Sequence, residues 1–270
     1  MRPTAPENIT KMIGIDSKLG KVVPLAVKFN EADGSARGKD ILLRDLVKDR
    51  PVIVLPAFYT CKSTCPLMFN GVLECIRNFK ELKLGVDYDI VTIGIKPSET
   101  VKDAMVKRDE LIHVSGLAKI PNLASGWHLL TGTEENIRKI TNAMGYRYGY
   151  NRQQDKVQHP AGIIILTPDG IISRYFYGME YVPKLVSNAL KDAKLNRVGP
   201  EAPKIFFGCL EMDAMTGRYT LVVKNTLIVA GTFTVLVLLG SILYMSRKYR
   251  ETNSDARIQA NMRIGGGPVN

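Results

Sequence analysis

The sequence predicts a layered α/β domain with a mixed sheet, followed by one C-terminal transmembrane helix. Three observations carry this reading. Short β-branched apolar runs alternate with segments whose apolar residues recur at helical spacing. Two of the later runs are joined by the tight turn Thr167-Pro168-Asp169-Gly170, which makes a hairpin and so a sheet that is not wholly parallel. An apolar stretch bounded by Leu227 and Met245 carries no charge and is long enough to cross about 30 Å of hydrocarbon.

In chain order, residues 1–20 are polar, lack any period and read as an extended lead-in. A strand is expected over 22–29, a turn at Ala32-Asp33-Gly34 and a short helix over 41–47. The apolar run 51–55 reads as a buried strand. After Pro66, the residues Leu67, Val72, Leu73, Ile76 and Phe79 recur at helical spacing, and this helix should end near Leu82, before Gly85. Residues 88–95 alternate and are β-branched, which predicts a strand. A helix is expected over 99–115 with Ala104, Met105 and Ile112 on one side, then a short strand over 127–130. Thr133-Glu134-Glu135 opens a helix that turns Ile137, Ile140 and Met144 inward, and acidic residues suit its first turn. Residues 151–158 read as a polar loop. His159-Pro160 leads into a buried strand over 161–166, 171–177 is the return strand, and 182–194 is a last amphipathic helix. From the strand 51–55 onward the order β-α-β-α-β-α-β-β-α describes a layered α/β fold.

The expected division is a lead-in 1–20, an α/β domain 21–195, a linker and juxtamembrane segment 196–224, a membrane helix 225–246 and a polar, Gly-rich, disordered tail 247–270. Arg247, Lys248 and Arg250 follow the apolar run at once. By the positive-inside rule the tail is cytoplasmic and the α/β domain sits on the periplasmic or extracellular side, although Arg218 and Lys224 on the near side count against this. Residues 1–12 contain no apolar stretch of the kind a cleavable secretory signal needs.

The formal net charge is +11. The basic residues are scattered and no basic run is interleaved with aromatics, so no nucleic-acid partner is expected. Attraction to an anionic membrane or an acidic partner stays open. Four cysteines in 270 residues do not make a disulfide scaffold.

The chemistry concentrates at Tyr59-Thr60-Cys61-Lys62-Ser63-Thr64-Cys65-Pro66, a strand-to-helix turn of the kind where open α/β sheets place their sites. Two thiols on such a turn suit thiol–disulfide chemistry or a soft metal such as Cu(I). The spacing is C-x-x-x-C rather than the C-x-x-C of dithiol oxidoreductases, which leaves room for a metal. Cys65 lies at the helix entrance, an end that favours a thiolate. His159, just before a buried strand, is a third candidate. His113 reads as exposed and His128 as structural. Cys75 shares a helix face with Val72 and Phe79 and reads as core. Cys209, between linker and membrane segment, could be inert, an intermolecular contact or a lipidation site. Trp127 and Tyr175-Phe176-Tyr177 should pack. Dinucleotide, phosphate-loop and zinc-protease motifs are absent.

Cys61-x-x-x-Cys65-Pro66 with the distant His159 resembles the Sco/SenC family, and the similarity runs from about residue 15 to 195. It includes Trp127-His128-Leu129-Leu130-Thr131-Gly132, Leu166-Thr167-Pro168-Asp169-Gly170 and Arg174-Tyr175-Phe176-Tyr177-Gly178. The resemblance implies a thioredoxin-like fold and a membrane-anchored protein of cytochrome c oxidase assembly. It also implies one copper ion, Cu(I) or Cu(II), held by Cys61, Cys65 and His159. In a thioredoxin-like sheet the loop carrying His159 approaches the cysteine turn. Three departures stand out. The apolar helix is C-terminal, as in a bacterial subgroup that needs a separate export signal. Lys96 stands where the family often has an acidic residue before Pro97, and Pro160 follows the histidine where Ser is common.

The function implied is a copper chaperone, not an enzyme, delivering copper to the binuclear site of cytochrome c oxidase subunit II. The alternatives are a thiol–disulfide oxidoreductase acting through Cys61 and Cys65 to keep the oxidase cysteines reduced, and a membrane-tethered redox or copper sensor. Three protein ligands leave a coordination position open, which suits a carrier, and no fourth ligand for a structural zinc is evident.

Overall fold

The apolar run after Pro51 is buried at every position from 52 to 57 because it lies near the middle of a seven-stranded sheet covered on both faces. The computed structural model describes residues 13–61, 65–113, 120–151, 156–200, 210–212, 219–221 and 228–246. The chain divides into two units, Met1–Lys204 with Met212–Tyr219, and Ile205–Glu211 with Thr220–Asn270.

The described elements are, in order, β1 (Gly14–Ile15), β2 (Lys28–Glu31), β3 (Lys39–Leu42), α1 (Leu43–Leu46), β4 (Val52–Ala57), α2 (Cys65–Arg77), β5 (Asp89–Gly94), α3 (Val101–His113), α4 (Leu123–Gly126) and β6 (Trp127–Thr131). They continue with α5 (Glu134–Ala143), β7 (Tyr146–Arg147), β8 (Gly149–Asn151), β9 (Lys156–Gln158), β10 (Gly162–Leu166), β11 (Ile172–Tyr177) and α6 (Pro183–Lys194). Two short strands, β12 (Leu210–Met212) and β13 (Tyr219–Leu221), and the helix α7 (Ile228–Ser246) follow. The helix α7 has 19 residues and is long and apolar enough to cross a membrane.

The sheet order is β11-β10-β4-β5-β6-β2-β3. Strands β4, β5 and β6 run parallel, and β10 is antiparallel to both β4 and β11. This is the mixed sheet the pattern predicts, in the thioredoxin-like form the family resemblance implies. Because side chains alternate along a strand, each central strand feeds two cores. Ile53, Leu55, Ile90, Leu129 and Ile163 meet α2, α3 and α6 on one face. Val54, Val91, Leu130 and Ile164 meet Leu43, Ile137, Ile140 and Tyr146 on the other. The hairpin joining β10 and β11 turns where Gly170, at φ 74°, donates its N–H to the Thr167 carbonyl. A side chain there would be strained.

Several elements differ from the pattern. The strand expected over 22–29 is shifted to Lys28–Glu31, because pairing with Leu130 and Thr131 engages Asn30 and Glu31, while Pro24 has no N–H to give a ladder. Val22 makes only an isolated bridge to Ile171. The helix expected over 41–47 begins as strand β3, since Ile41 pairs with Phe29, and only one turn of helix remains. The polar stretch 151–158 contributes to a two-stranded ribbon of β8 and β9. Only Tyr150 and Val157 of this ribbon pack against the core, too few apolar positions for a period to show in a polar stretch. The lead-in holds β1, which pairs with β7; a two-residue strand carries no period to read. The tail 247–270 and Cys209 lie outside the described residues.

Candidate metal centre

Strand β4 ends at Ala57, and Phe58 to Cys61 leave it toward α2, whose first residue is Cys65. The antiparallel register pairs Ile164 with Val54, so the entry of β10 lies at the exit of β4. That register brings His159, three residues before β10 and 94 positions from Cys65, to the cysteine turn. The Cys65 Sγ and His159 Nε2 are 3.3 Å apart. Cys65 and His159 are buried, at 1% and 7% exposure, whereas Cys61 is half-buried. Cys61, Cys65 and Cys75 are thiols, and the side chains of Cys61 and Cys65 interact directly.

The other face of the imidazole is held as firmly. Its Nδ1 lies 3.0 Å from the Tyr146 hydroxyl and 2.9 Å from the Pro160 carbonyl oxygen. The same hydroxyl reaches the carbonyls of Pro160 at 2.6 Å and Pro56 at 3.3 Å. Two carbonyls therefore compete for donors, and only a ring with its proton on Nδ1 supplies a second one. This tautomer leaves the Nε2 lone pair facing Cys65, the arrangement in which a histidine can ligate through Nε2. Phe58 packs its ring edge-on to His159, with centroids 5.6 Å apart.

Electrostatics correct one expectation. The helix entrance was expected to favour a thiolate at Cys65, yet the neighbouring Cys61 side chain and burial push this thiol well above its usual range. A helix end contributes roughly 0.3–1 kcal/mol in an exposed setting, less than the desolvation of a buried charge. Burial likewise lowers the pKa of His159, opposed by the Pro160 carbonyl and by Cys61.

The turn is braced from the next strands. The Tyr59 hydroxyl donates to the Leu130 carbonyl at 2.7 Å. Glu99, 7% exposed, accepts the Thr60 N–H at 2.6 Å and the Thr60 hydroxyl at 2.8 Å, both on Oε1. Burial raises the Glu99 pKa, against the lowering effect of the Thr60 and Tyr59 N–H groups. Neither Tyr146 nor Glu99 carries a local motif, and no sequence signal singles them out.

Among the described residues no three His, Cys, Asp or Glu side chains already stand as a metal-holding cluster. The Cys65–His159 pair is in place, with Cys61 beside it. Of the remaining candidates, His113 is exposed and His128 pairs with Glu31 at 2.5 Å, far from this turn in the sheet. Cys75 is buried core, and burial pushes its thiol up to about 12. Trp127 packs beside Phe69 and donates to the Thr92 hydroxyl at 2.8 Å. A cleft of 850 Å³ between Lys28, Asp40, Glu99 and Thr133 includes none of Cys61, Cys65 and His159 in its lining.

The SCO1/SenC family model matches residues 36–193, more than half of the chain. Among solved structures, the chain is similar to a putative electron transfer protein from Aquifex aeolicus VF5, at 26% identity, 66% of this chain and 95% of that one, with a TM-score of 0.54. A SCO1/SenC family lipoprotein from Bacillus anthracis str. Ames matches at 20% identity over 66% and 96% of the two chains, with a TM-score of 0.50. Arabidopsis thaliana ScoI, solved with copper bound, matches at 19% identity over 63% and 96%, with a TM-score of 0.47. No curated protein matches.

Proposed function

The chain belongs to the SCO1/SenC family, and from that premise we propose that it is a membrane-anchored copper carrier for cytochrome c oxidase assembly. In this reading Cys61, Cys65 and His159 hold one copper ion as cargo. The recipient is the binuclear copper site of oxidase subunit II.

The observation that carries the reading is the 3.3 Å approach of Cys65 Sγ to His159 Nε2, with a second thiol beside them on the same turn. The donor set fits copper. Two soft sulfurs favour Cu(I), and an imidazole with its lone pair directed at them makes Cu(II) acceptable as well. Loading displaces the thiol protons, because only thiolates ligate. Half-buried Cys61 is the most accessible of the three donors and adds the third ligand to the Cys65–His159 pair from the solvent side, where an ion can be exchanged. The raised Cys65 thiol and its burial weigh against an oxidoreductase that attacks through Cys65.

The test is copper stoichiometry of the full chain, purified in detergent, with and without reductant. One copper per chain is expected under reducing conditions, none after Cys61→Ala or Cys65→Ala, and a loss chiefly of Cu(II) binding after His159→Ala. Three variants that bind copper like the parent would sink the assignment. The copper-loaded reduced chain should also metallate a reduced subunit II fragment without added reductant. Rapid reduction of that fragment's disulfide with no copper transfer would favour the oxidoreductase instead.

A further inference from the structure

We infer that Glu99 is a positioning residue for Cys61. The inference rests on the copper-site reading for its metal arm only. Glu99 lies on the segment between β5 and α3, 39 positions from Thr60, and one buried carboxylate oxygen takes both the backbone N–H and the hydroxyl of Thr60. Thr60 is the residue immediately before Cys61. The residue before it, Tyr59, is buried and hydrogen-bonded to the Leu130 carbonyl. The chain leaving β4 is thus bolted to β6 and to the β5–α3 segment at two successive residues, and Cys61 emerges at a place those bolts define.

The energetics give this clamp a positional role more than a stabilising one. Thr60 is exposed, so water can replace Glu99 as its acceptor, and the only buried donor that loses a partner is the Tyr59 N–H. Glu99 itself is a buried carboxylate whose Oε2 makes no hydrogen bond, so its removal relieves an unsatisfied acceptor. Loss of Glu99 therefore frees the segment carrying Cys61 without unfolding the sheet. A metal ligand on a loosened segment must be reordered on every binding event, and losses of about 10- to 100-fold in affinity are typical when such supporting contacts go.

The experiment uses the full chain in detergent with Glu99→Ala and Glu99→Gln. Glutamine keeps an oxygen acceptor for Thr60 and removes the charge. The first readout is metal-free: the rate at which iodoacetamide alkylates Cys61, followed by peptide mass mapping. The second is Cu(I) affinity by competition. Alanine should raise the alkylation rate at least about threefold and weaken Cu(I) about tenfold at unchanged stoichiometry, with glutamine close to the parent in both. Equal alkylation of parent and alanine variant overturns the inference. So does a glutamine variant that behaves like alanine, since charge and not the acceptor would then be responsible. If the parent binds no copper, the copper-site reading fails, while the alkylation rates still decide the role of Glu99.

Discussion

His159 shows how one ring can be set by two neighbours with opposite tasks. Cys65 faces Nε2, while Tyr146 and the Pro160 carbonyl hold Nδ1. The Tyr146 hydroxyl is fully buried and serves three partners, so Tyr146→Phe removes a donor without changing the packed volume. Leaving buried carbonyls short of a donor costs roughly 1–3 kcal/mol, readable as a lower denaturant midpoint at unchanged slope. The same variant should weaken Cu(II) more than Cu(I), because the imidazole matters most for Cu(II). An equal loss for both oxidation states would place Tyr146 in stability alone. In sequence, the two cysteines and His159 stood out as candidates through their spacing and their places beside buried runs. Tyr146 did not, because β7 reaches the site only through its place on the sheet's second face.

At the scale of elements, the helix α3 starts immediately after the Glu99 segment, and its first turn is closed by a reciprocal cap. The Thr100 N–H donates to Asp103 Oδ2 at 2.7 Å, and the Asp103 N–H donates to Thr100 Oγ1 at 3.4 Å. Thr100→Ala is expected to cost about 1 kcal/mol of stability. The Thr100 N–H holds the Asp103 carboxyl below its usual 3.8. A depressed carboxylate contributes stability that is present above the unfolded value and lost as pH falls through the folded one. Stability from this cap should therefore decline only below about pH 3.8, and Asp103→Asn should remove that part of the acid slope. A parent and variant with parallel acid unfolding curves would show that the cap is not coupled to pH. The cap was legible only as a helix start near residue 99; the strand β3 was not, because its pairing with β2 outweighs a local pattern that suited a helix.

For the whole molecule, the sheet is the structure that holds the turn in place. Ile53 is fully buried at its centre, so Ile53→Ala should cost roughly 2–5 kcal/mol and loosen the face that packs against α2, α3 and α6, measured by chemical denaturation of the full chain. Topology is tested separately. The apolar helix Ile228–Ser246 with Arg247, Lys248 and Arg250 after it places the α/β domain on the non-cytoplasmic side in the proposed reading. Protease added to right-side-out vesicles with a permeable outer layer should digest that domain. Protection in that assay would contradict the proposed orientation and the oxidase-assembly role with it.

The amino-acid sequence alone determined the α/β class, the hairpin at Thr167-Pro168-Asp169-Gly170, the apolar C-terminal helix and the candidate set Cys61, Cys65 and His159. Each rests on local patterning: period, turn chemistry or the spacing of reactive side chains. Tertiary structure alone decided the electrostatic surroundings of those groups and their supports. The entrance of α2 favours a thiolate, yet the nearness of Cys61 and the burial of Cys65 push the thiol pKa up. The register of β10 on β4 sets His159 against Cys65, and the buried oxygens of Tyr146 and Glu99 arrive from distant segments. Desolvation and hydrogen-bond partnership depend on which surfaces meet, and no local stretch of sequence contains that information.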